Sequence, residues 1–308
     1  MKYLLLGGSG FIGVNLASIL AKDNEVVIVG RQEKFRPPVD SITYRQMDFV
    51  SCRDFTKYIA DVDVVLHMVS TIFPSDNIDD LKKEIEDNVN PTLVLLKNAV
   101  KLRKKVVFLS SGGAIYGENS RPNKETDPTN PRSSYGVIKL IIEKYFELYH
   151  NYGDLDYRII RLGNPYSEKV YHNKRQGVIP VVINNIQKGL MIENYGEGQT
   201  RDYIHIDDAV EGIKKVLEYE GKERIFNIGT GEGHKIDEIV KIVEKELGKK
   251  ATIRKLPARK CDVENNILDI SLIRRETGWS PKVSLEEGIK RSIEIKNGGA
   301  AVKGEAHV

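Results

Sequence analysis

A short apolar run, Tyr3-Leu4-Leu5-Leu6, stops at Gly7-Gly8-Ser9-Gly10-Phe11-Ile12-Gly13, and apolar residues at helical spacing then continue from Phe11 to Leu20. A buried strand that turns at once into a helix through Gly-x-x-Gly-x-x-Gly leaves few architectures open. Gly7 permits the tight turn, Gly10 lets backbone approach a pyrophosphate, and Gly13 lets the helix pack closely on the sheet. The helix start then turns its unsatisfied N–H groups and positive dipole end toward phosphate. The spacing predicts a dinucleotide-binding unit. Strand-length apolar runs recur at Glu25 to Val29, Val62 to Val69, Val106 to Ser110 and Arg158 to Leu162. Helical patterns separate them around Phe55 to Ile59, Leu81 to Val100 and Tyr135 to Tyr149. Such β-α-β alternation builds a parallel sheet covered on both faces. From Gly163 to about Asp202 it breaks, and Gly, Pro, Asn and basic residues surround one amphipathic helix, Val178 to Lys188, as suits a substrate-binding insert. Phe226 to Gly229 reads as a late strand, Ile236 to Leu247 as an amphipathic helix, and Asn297 to Val308 as a disordered tail.

The 308 residues, 40% hydrophobic and 30% charged, suit a globular protein large enough to fold without disulfide staples. Cys52 and Cys261 lack CxxC or Cys/His spacing, which leaves reduced thiols and no sequence support for a metal site. A formal charge of +3 is too small to imply a nucleic-acid partner, and the run Lys101, Arg103, Lys104, Lys105 reads as a solvated helix end. No apolar stretch approaches the roughly 18 residues that span a bilayer, and Gly7 and Gly8 interrupt the first run too early for a signal peptide. A cytoplasmic protein with neither a nucleic-acid nor a membrane partner is expected.

An acidic residue commonly ends the second strand of such a unit and hydrogen-bonds the adenosine ribose of NAD; here the place reads Val29-Gly30-Arg31. A guanidinium where a carboxylate is usual favours the 2′-phosphate of NADP. Asp48-Phe49, at the end of the expected third strand, is placed to meet the adenine edge. Ser134-Tyr135-Gly136-Val137-Ile138-Lys139 sets a tyrosine and a lysine four residues apart, one above the other on a helix face. An ammonium beside a phenol favours the phenolate, so Tyr135 is expected to exchange a proton with a substrate hydroxyl near neutrality while Lys139 holds the nicotinamide ribose.

With these residues in place the sequence resembles the extended short-chain dehydrogenase/reductases, and within them the nucleotide-sugar epimerase/dehydratase group typified by UDP-glucose 4-epimerase. The resemblance rests on seven ordered motifs: the glycine turn, Asn88-Val89-Asn90-Pro91-Thr92, Ser110-Ser111-Gly112-Gly113-Ala114-Ile115-Tyr116-Gly117, Tyr135-x-x-x-Lys139, Arg161-Leu162-Gly163-Asn164-Pro165-Tyr166, Arg201-Asp202-Tyr203-Ile204-His205-Ile206-Asp207-Asp208 and Phe226-Asn227-Ile228-Gly229-Thr230-Gly231. It implies an α/β fold, with a Rossmann-type doubly wound parallel sheet and a smaller α/β substrate-binding C-terminal region. The dinucleotide domain would cover 1–165, with 202–230 returning to it, and the nucleotide-sugar region would cover 166–201 and 231–296. Around the NAD(P) would stand Gly7, Gly10, Phe11, Ile12, Gly13, Arg31, Asp48, Phe49 and Met68, together with Tyr135 and Lys139. Tyr135 would be the acid/base, with Lys139, Ser111 and Asn88 beside it. Asn164, Gln176, Val178, Arg201, Arg259 and Asp262 would hold a nucleotide-diphosphate sugar. A homodimer through the helices Leu81 to Val100 and Tyr135 to Tyr149 is the family habit.

Two features depart from that pattern. The family's catalytic Ser or Thr, aligned back from Tyr116-Gly117, falls on Gly112, so the hydrogen bond to the sugar oxygen is assigned to Ser111. The Asp-Glu pair that 4,6-dehydratases place directly after that hydroxyl is here Gly113-Ala114, neither of which can move a proton, so dehydration is disfavoured. The resulting expectation is a nucleotide-sugar 4-epimerase with a UDP-hexose or UDP-N-acetylhexosamine substrate. Asn266, four residues after Asp262, would leave room for an N-acetyl group. An NADPH-dependent 4-ketosugar reductase, supported by Arg31, is the alternative, and a non-catalytic NADP-sensing protein is a third.

Overall fold

The computed structural model describes residues 1–72, 80–167, 177–196, 198–259 and 262–296; Gln176, Cys261 and the expected tail at 297–308 lie outside the described residues. In chain order the first half comprises β1 (Lys2–Leu6), α1 (Phe11–Leu20), β2 (Glu25–Gly30), β3 (Thr43–Gln46), α2 (Thr56–Ile59), β4 (Val64–His67), α3 (Leu81–Lys101), β5 (Lys105–Ser111), α4 (Gly112–Ile115), α5 (Ser134–Gly153) and β6 (Tyr157–Leu162). The second half comprises β7 (Asn164–Tyr166), α6 (Val178–Lys188), β8 (Met191–Tyr195), β9 (Thr200–Arg201), β10 (Tyr203–His205), α7 (Ile206–Leu217), β11 (Ile225–Ile228), β12 (His234–Lys235), α8 (Ile236–Leu247), β13 (Thr252–Leu256), β14 (Asn265–Asn266), α9 (Ser271–Thr277) and α10 (Leu285–Lys296).

Seven strands form one parallel sheet in the order β11-β6-β5-β4-β1-β2-β3. The central strands read as continuous apolar runs because both their faces are covered. Tyr3 and Leu5 point to one face, where Leu16, Ala17 and Leu20 of α1 and Ile206, Val210, Ile213 and Leu217 of α7 pack on them. Leu4 and Leu6 point to the other, against Leu95, Leu96 and Ala99 of α3 and Ile138, Ile142 and Phe146 of α5. Burial of each such side chain contributes about 1.5–3 kcal/mol. This is the Rossmann-type doubly wound arrangement. The strand order reverses between β1 and β4, and the crevice above their carboxyl ends is where ligands bind in open α/β sheets.

A third apolar cluster lies apart from the sheet, where Ile179, Val182, Ile183 and Ile186 of α6 meet Ile239, Val240 and Val243 of α8 and Ile289 and Ile293 of α10. The segment from Gly163 to Asp202 contributes α6 and short strands that pair outside the main sheet, β7 with β10 and β8 with β13. Pro91 stands inside α3 and lacks the N–H that would bond the Asp87 carbonyl; on either side of that position Thr92 Oγ1 donates to the Asn88 carbonyl at 2.6 Å and Asn88 Nδ2 to the Glu84 carbonyl at 2.9 Å. Among the described residues no helix is long and apolar enough to cross a membrane.

Candidate active site

The glycine turn occupies the β1 side of the crevice. Gly7 takes φ +80°, a conformation that suits glycine, and a Cβ at Gly13 would stand 2.5 Å from Gly8 Cα, so α1 lies on the turn at a distance that admits no side chain there. Gly10 caps α1 through backbone alone, with no side-chain cap and no acidic residue in the first turn. The amides of Phe11, Ile12 and Gly13 therefore begin the helix as an anion-binding end, while the side chains of Phe11 and Ile12 pack back on the core. Met68 closes the β4 side, its amide bonded to the Leu6 carbonyl at 3.0 Å and its own carbonyl carbon 3.3 Å from where a Gly7 Cβ would be. A Cβ at Gly30 would approach Ser9 Oγ to 2.7 Å, so β2 ends against the turn and the exposed Arg31 emerges beside it. These groups fit a dinucleotide: a crevice at the strand reversal, an uncapped helix start and an exposed cation beside the turn.

Across the crevice α5 begins at Ser133, whose side chain accepts from the Gly136 amide at 3.2 Å. Tyr135 and Lys139 follow on one face, the Lys139 ammonium 5.6 Å from the Tyr135 ring centroid, 4.8 Å from the Phe108 ring centroid and donating to the Leu109 carbonyl at 3.0 Å. Ser111, at the end of β5, stands close enough to the Tyr135 phenol to oppose the upward shift that burial gives it. A Cβ at Gly113 would lie 3.8 Å from Ser111 Oγ and 3.5 Å from Asn164 Oδ1, so this bare glycine separates the serine from the asparagine. At Gly112 the Cβ direction runs into both Leu268 methyls, at 2.7 Å. The hydroxyl beside Tyr135 is thus that of Ser111, and a side chain at 112 would point into the core.

Burial pushes Tyr135 up to about 12, tempered by the Ser111 hydrogen bond, and pushes Lys139 down to about 8, opposed by Glu143. The expected phenolate near neutrality is therefore corrected for this state: desolvation of the phenol outweighs the attraction of the nearby ammonium. Lys139 stays mostly protonated at pH 7 and Tyr135 stays a phenol.

The remaining expected residues divide. The Asn88 side chain accepts from the Thr71 amide at 3.0 Å and donates to Thr71 Oγ1 at 2.7 Å, pinning the chain just after Met68. The Phe49 ring is buried at 4% exposure between Phe55 and His67, with centroids 5.3 Å and 4.7 Å away, so the core takes the side chain assigned to adenine. The Asp48 carboxylate accepts from the Val50 amide at 3.3 Å. Arg201 Nη1 donates to the Val263 carbonyl at 2.8 Å, one residue past Asp262, and the Arg259 amide donates to the Asp262 carboxylate at 3.2 Å. The Arg259 guanidinium stacks 4.0 Å from the Tyr195 ring centroid. Arg201, Arg259 and Asp262 are thus neighbours, whereas Val178 is exposed at the start of α6. Asn266 is buried at 1% exposure and donates to the Gly112 carbonyl at 3.1 Å.

Sequence reasoning passed over the groups that hold these residues in register. Asp202 is fully buried and accepts from Thr230 N and Oγ1, both at 2.7 Å, Gly231 N at 3.1 Å and Leu268 N at 3.3 Å, while its carbonyl receives the Asn164 amide at 2.8 Å. The Glu118 carboxylate accepts from the Glu264 and Asn265 amides at 2.6 and 3.0 Å. Asp202 stands in the Arg201–Asp208 motif with no role assigned to it there, and Glu118 has no local signal. Glu143 had one, the step of four from Lys139.

Comparison with known proteins now bears on the geometry. Over 306 aligned residues the chain is 31% identical to the dTDP-4-dehydro-6-deoxyglucose reductase of Escherichia coli, covering 94% of this chain and 96% of that one. Over 309 residues it is 30% identical to the UDP-glucose 4-epimerase of Mycolicibacterium smegmatis, covering 96% and 98%. Its structure superposes on that of the Thermus thermophilus UDP-glucose 4-epimerase in complex with NAD with a TM-score of 0.88, at 28% identity and over 97% of this chain and 100% of that one. The model of the NAD dependent epimerase/dehydratase family matches residues 3–229. By this match and by its relatives at 30% identity and above, the chain belongs to the NAD dependent epimerase/dehydratase family.

Proposed function

We propose that this chain is a nucleotide-sugar 4-epimerase acting on a UDP-hexose or UDP-N-acetylhexosamine with a retained NAD(P). The observation that carries the reading is the cluster of Ser111, Tyr135 and Lys139 at the mouth of the strand-reversal crevice, with Asn164 across the bare Gly113. When bound, the nicotinamide supplies a reversible two-electron oxidation at the sugar C4. The chain's own task is to move the C4 hydroxyl proton and to hold the sugar. Tyr135 first gives its own proton up to solvent, and the phenolate then takes the C4 hydroxyl proton and returns it, while Ser111 stands beside the phenol oxygen and Lys139 brings positive charge that favours the phenolate and donors to the cofactor ribose. Asn164, Arg201, Arg259 and Asp262 hold the nucleotide diphosphate, the guanidinium forks suiting phosphate oxygens. In this division of labour 1–165 with 202–230 bind the dinucleotide and 166–201 with 231–296 bind the sugar nucleotide. Leu81, Ile85, Val137, Leu148 and Tyr152, exposed on α3 and α5, support homodimerisation through those helices.

One observation favours the second reading, an NADPH-dependent ketosugar reductase. Arg31 stands exposed at the end of β2 with no carboxylate between Val29 and Gln32, which supports recognition of a 2′-phosphate. Mass spectrometry of nucleotide released on denaturing the fresh protein separates the two. An epimerase regenerates its cofactor in every cycle and keeps it, so near-stoichiometric NAD or NADP is expected. An empty protein that prefers NADPH to NADH would make it a reductase, and one that binds neither would overturn both readings.

A further inference from the structure

Behind Tyr135 and Lys139 lies a buried ionic cluster that the proposed reaction does not use. Glu143 follows Lys139 by one turn of α5 on the same face, and the two are 3% and 4% exposed. Its carboxylate is gripped from two other elements: Ser110 Oγ of β5 donates at 2.5 Å, and from β6 Arg161 Nη2 donates at 2.7 Å and Nε at 3.2 Å. Arg161 is fixed in turn, donating to Tyr116 Oη at 2.9 Å and the Glu125 carbonyl at 3.0 Å, with its guanidinium 4.9 Å from the Tyr116 ring centroid. Such a pair is a poor source of stability, because desolvating both charges offsets their attraction and an apolar pair of similar volume often does as well. What it provides that an apolar pair cannot is an anion fixed one turn from Lys139.

Lys139 is the residue that needs one. Its ammonium is enclosed by the Phe108 ring and the Leu109 carbonyl, and burial drives it toward the neutral form, with Glu143 as the opposing group. The other groups toward it do not take that part. His67 on β4 is held neutral by burial, Tyr135 on α5 stays protonated, and β5 contributes Ser110, Ser111, Phe108 and a carbonyl. Glu84 on α3 is bonded to Ser134 at the start of α5, and Arg161 on β6 stands beyond Glu143.

We propose that Glu143 is a positioning residue of the active site: anchored by Ser110 and Arg161, it fixes a negative charge behind Lys139 and so keeps the ammonium seated for the proton exchange at Tyr135. The inference rests on the reading of Tyr135 and Lys139 as the proton-moving pair. Its test is the 13Cε titration of lysine-labelled protein in the full chain, with Lys139 assigned from a K139R sample. Glu143→Gln and the double variant E143M/R161M are compared with the natural chain. A Lys139 midpoint near 8 is expected in the natural chain, falling by about one pH unit in Glu143→Gln. If that variant does not fold because Arg161 is left unpaired, the double variant gives the answer, with a fall in the same direction. A folded variant whose Lys139 midpoint is unmoved overturns the proposal, since a purely structural carboxylate leaves it in place. The readout needs neither cofactor nor substrate, so absence of sugar-nucleotide turnover in the natural chain counts against the epimerase reading alone.

Discussion

Moving one hydroxyl by one residue separates sequence position from geometry. The variant S111A/G112S puts the serine where alignment to the family expects it and removes it from where the structure has it. At 112 the new Cβ meets both Leu268 methyls at 2.7 Å and the Arg161 carbonyl oxygen at 3.1 Å. Carbon atoms rest at roughly 3.5–4.0 Å, so Leu268, which is fully buried, has to give way by about 1 Å. Overpacking of that size costs about 1–3 kcal/mol, which for a chain of this length is a melting point lower by a few degrees. The Oγ at 112 does not reach the phenol, because its Cβ leaves the backbone toward the core. S111A alone removes a donor from Tyr135, a loss on the scale of about 100-fold in kcat for one pre-placed hydrogen bond. The double variant should therefore be as slow as S111A and less stable than it. Initial rates of UDP-hexose interconversion and thermal melts on the same samples decide the matter. Natural kcat in the double variant, or no loss in S111A, would refute the assignment of Ser111.

Gly13→Ala drives a methyl to 2.5 Å from Gly8 Cα and forces α1 off the turn. NAD(P) affinity should fall at least about tenfold alongside a stability loss of about 1–3 kcal/mol, and calorimetry giving an unchanged Kd would count against the turn as the phosphate site. Arg31→Glu should weaken NADPH much more than NADH, by about tenfold or more for loss of a charge-assisted contact, and an unchanged ratio of the two constants would remove Arg31 from the cofactor reading. His67 is buried at 1% exposure and held down to about 3 from an ordinary 6.5, so the unfolded chain binds the extra proton between those values. Stability is then complete above about pH 6.5 and is lost as pH falls toward 3, by an amount on the order of 5 kcal/mol. Urea midpoints at pH 7.5 and 5 should show a smaller drop for His67→Gln than for the natural chain, and equal drops would assign the acid lability elsewhere.

Helices with strong periodicity and clear ends were legible as they stand: the sequence predicts Phe11 to Leu20, Val178 to Lys188 and Ile236 to Leu247, and α1, α6 and α8 have those bounds. The last two are stopped by Gly189 and Gly248 in left-handed caps, a strictly local signal. The glycine turn was legible for the same reason. What depends on which face of a strand or turn a residue occupies was not. The Phe49 ring turns into the core, and the serine beside Tyr135 stands at 111 because the backbone of α4 aims residue 112 at Leu268. Spacing placed the ammonium of Lys139 near the phenol of Tyr135, yet it carries no information about desolvation, which sets the direction of both shifts. The acceptors that knit remote segments, Asp202 and Glu118, leave no periodic trace at all.

The Asp202 carboxylate takes its donors from Thr230, Gly231 and Leu268, and the next two residues, Tyr203 and Ile204, pack into different apolar clusters, the former beside α6 and α8 and the latter against the sheet. Withdrawal of any one of those segments would leave a charge enclosed without its partners, at a penalty larger than the hydrogen bond itself. The Asp202 carboxylate therefore locks the 230–231 and 268 segments onto the strand that runs from the sheet to the outer cluster, and the two should melt as one cooperative unit. Amides around Ile204, Thr230 and Leu268 then belong to the slowest-exchanging set in the protein, opening only when the whole molecule opens.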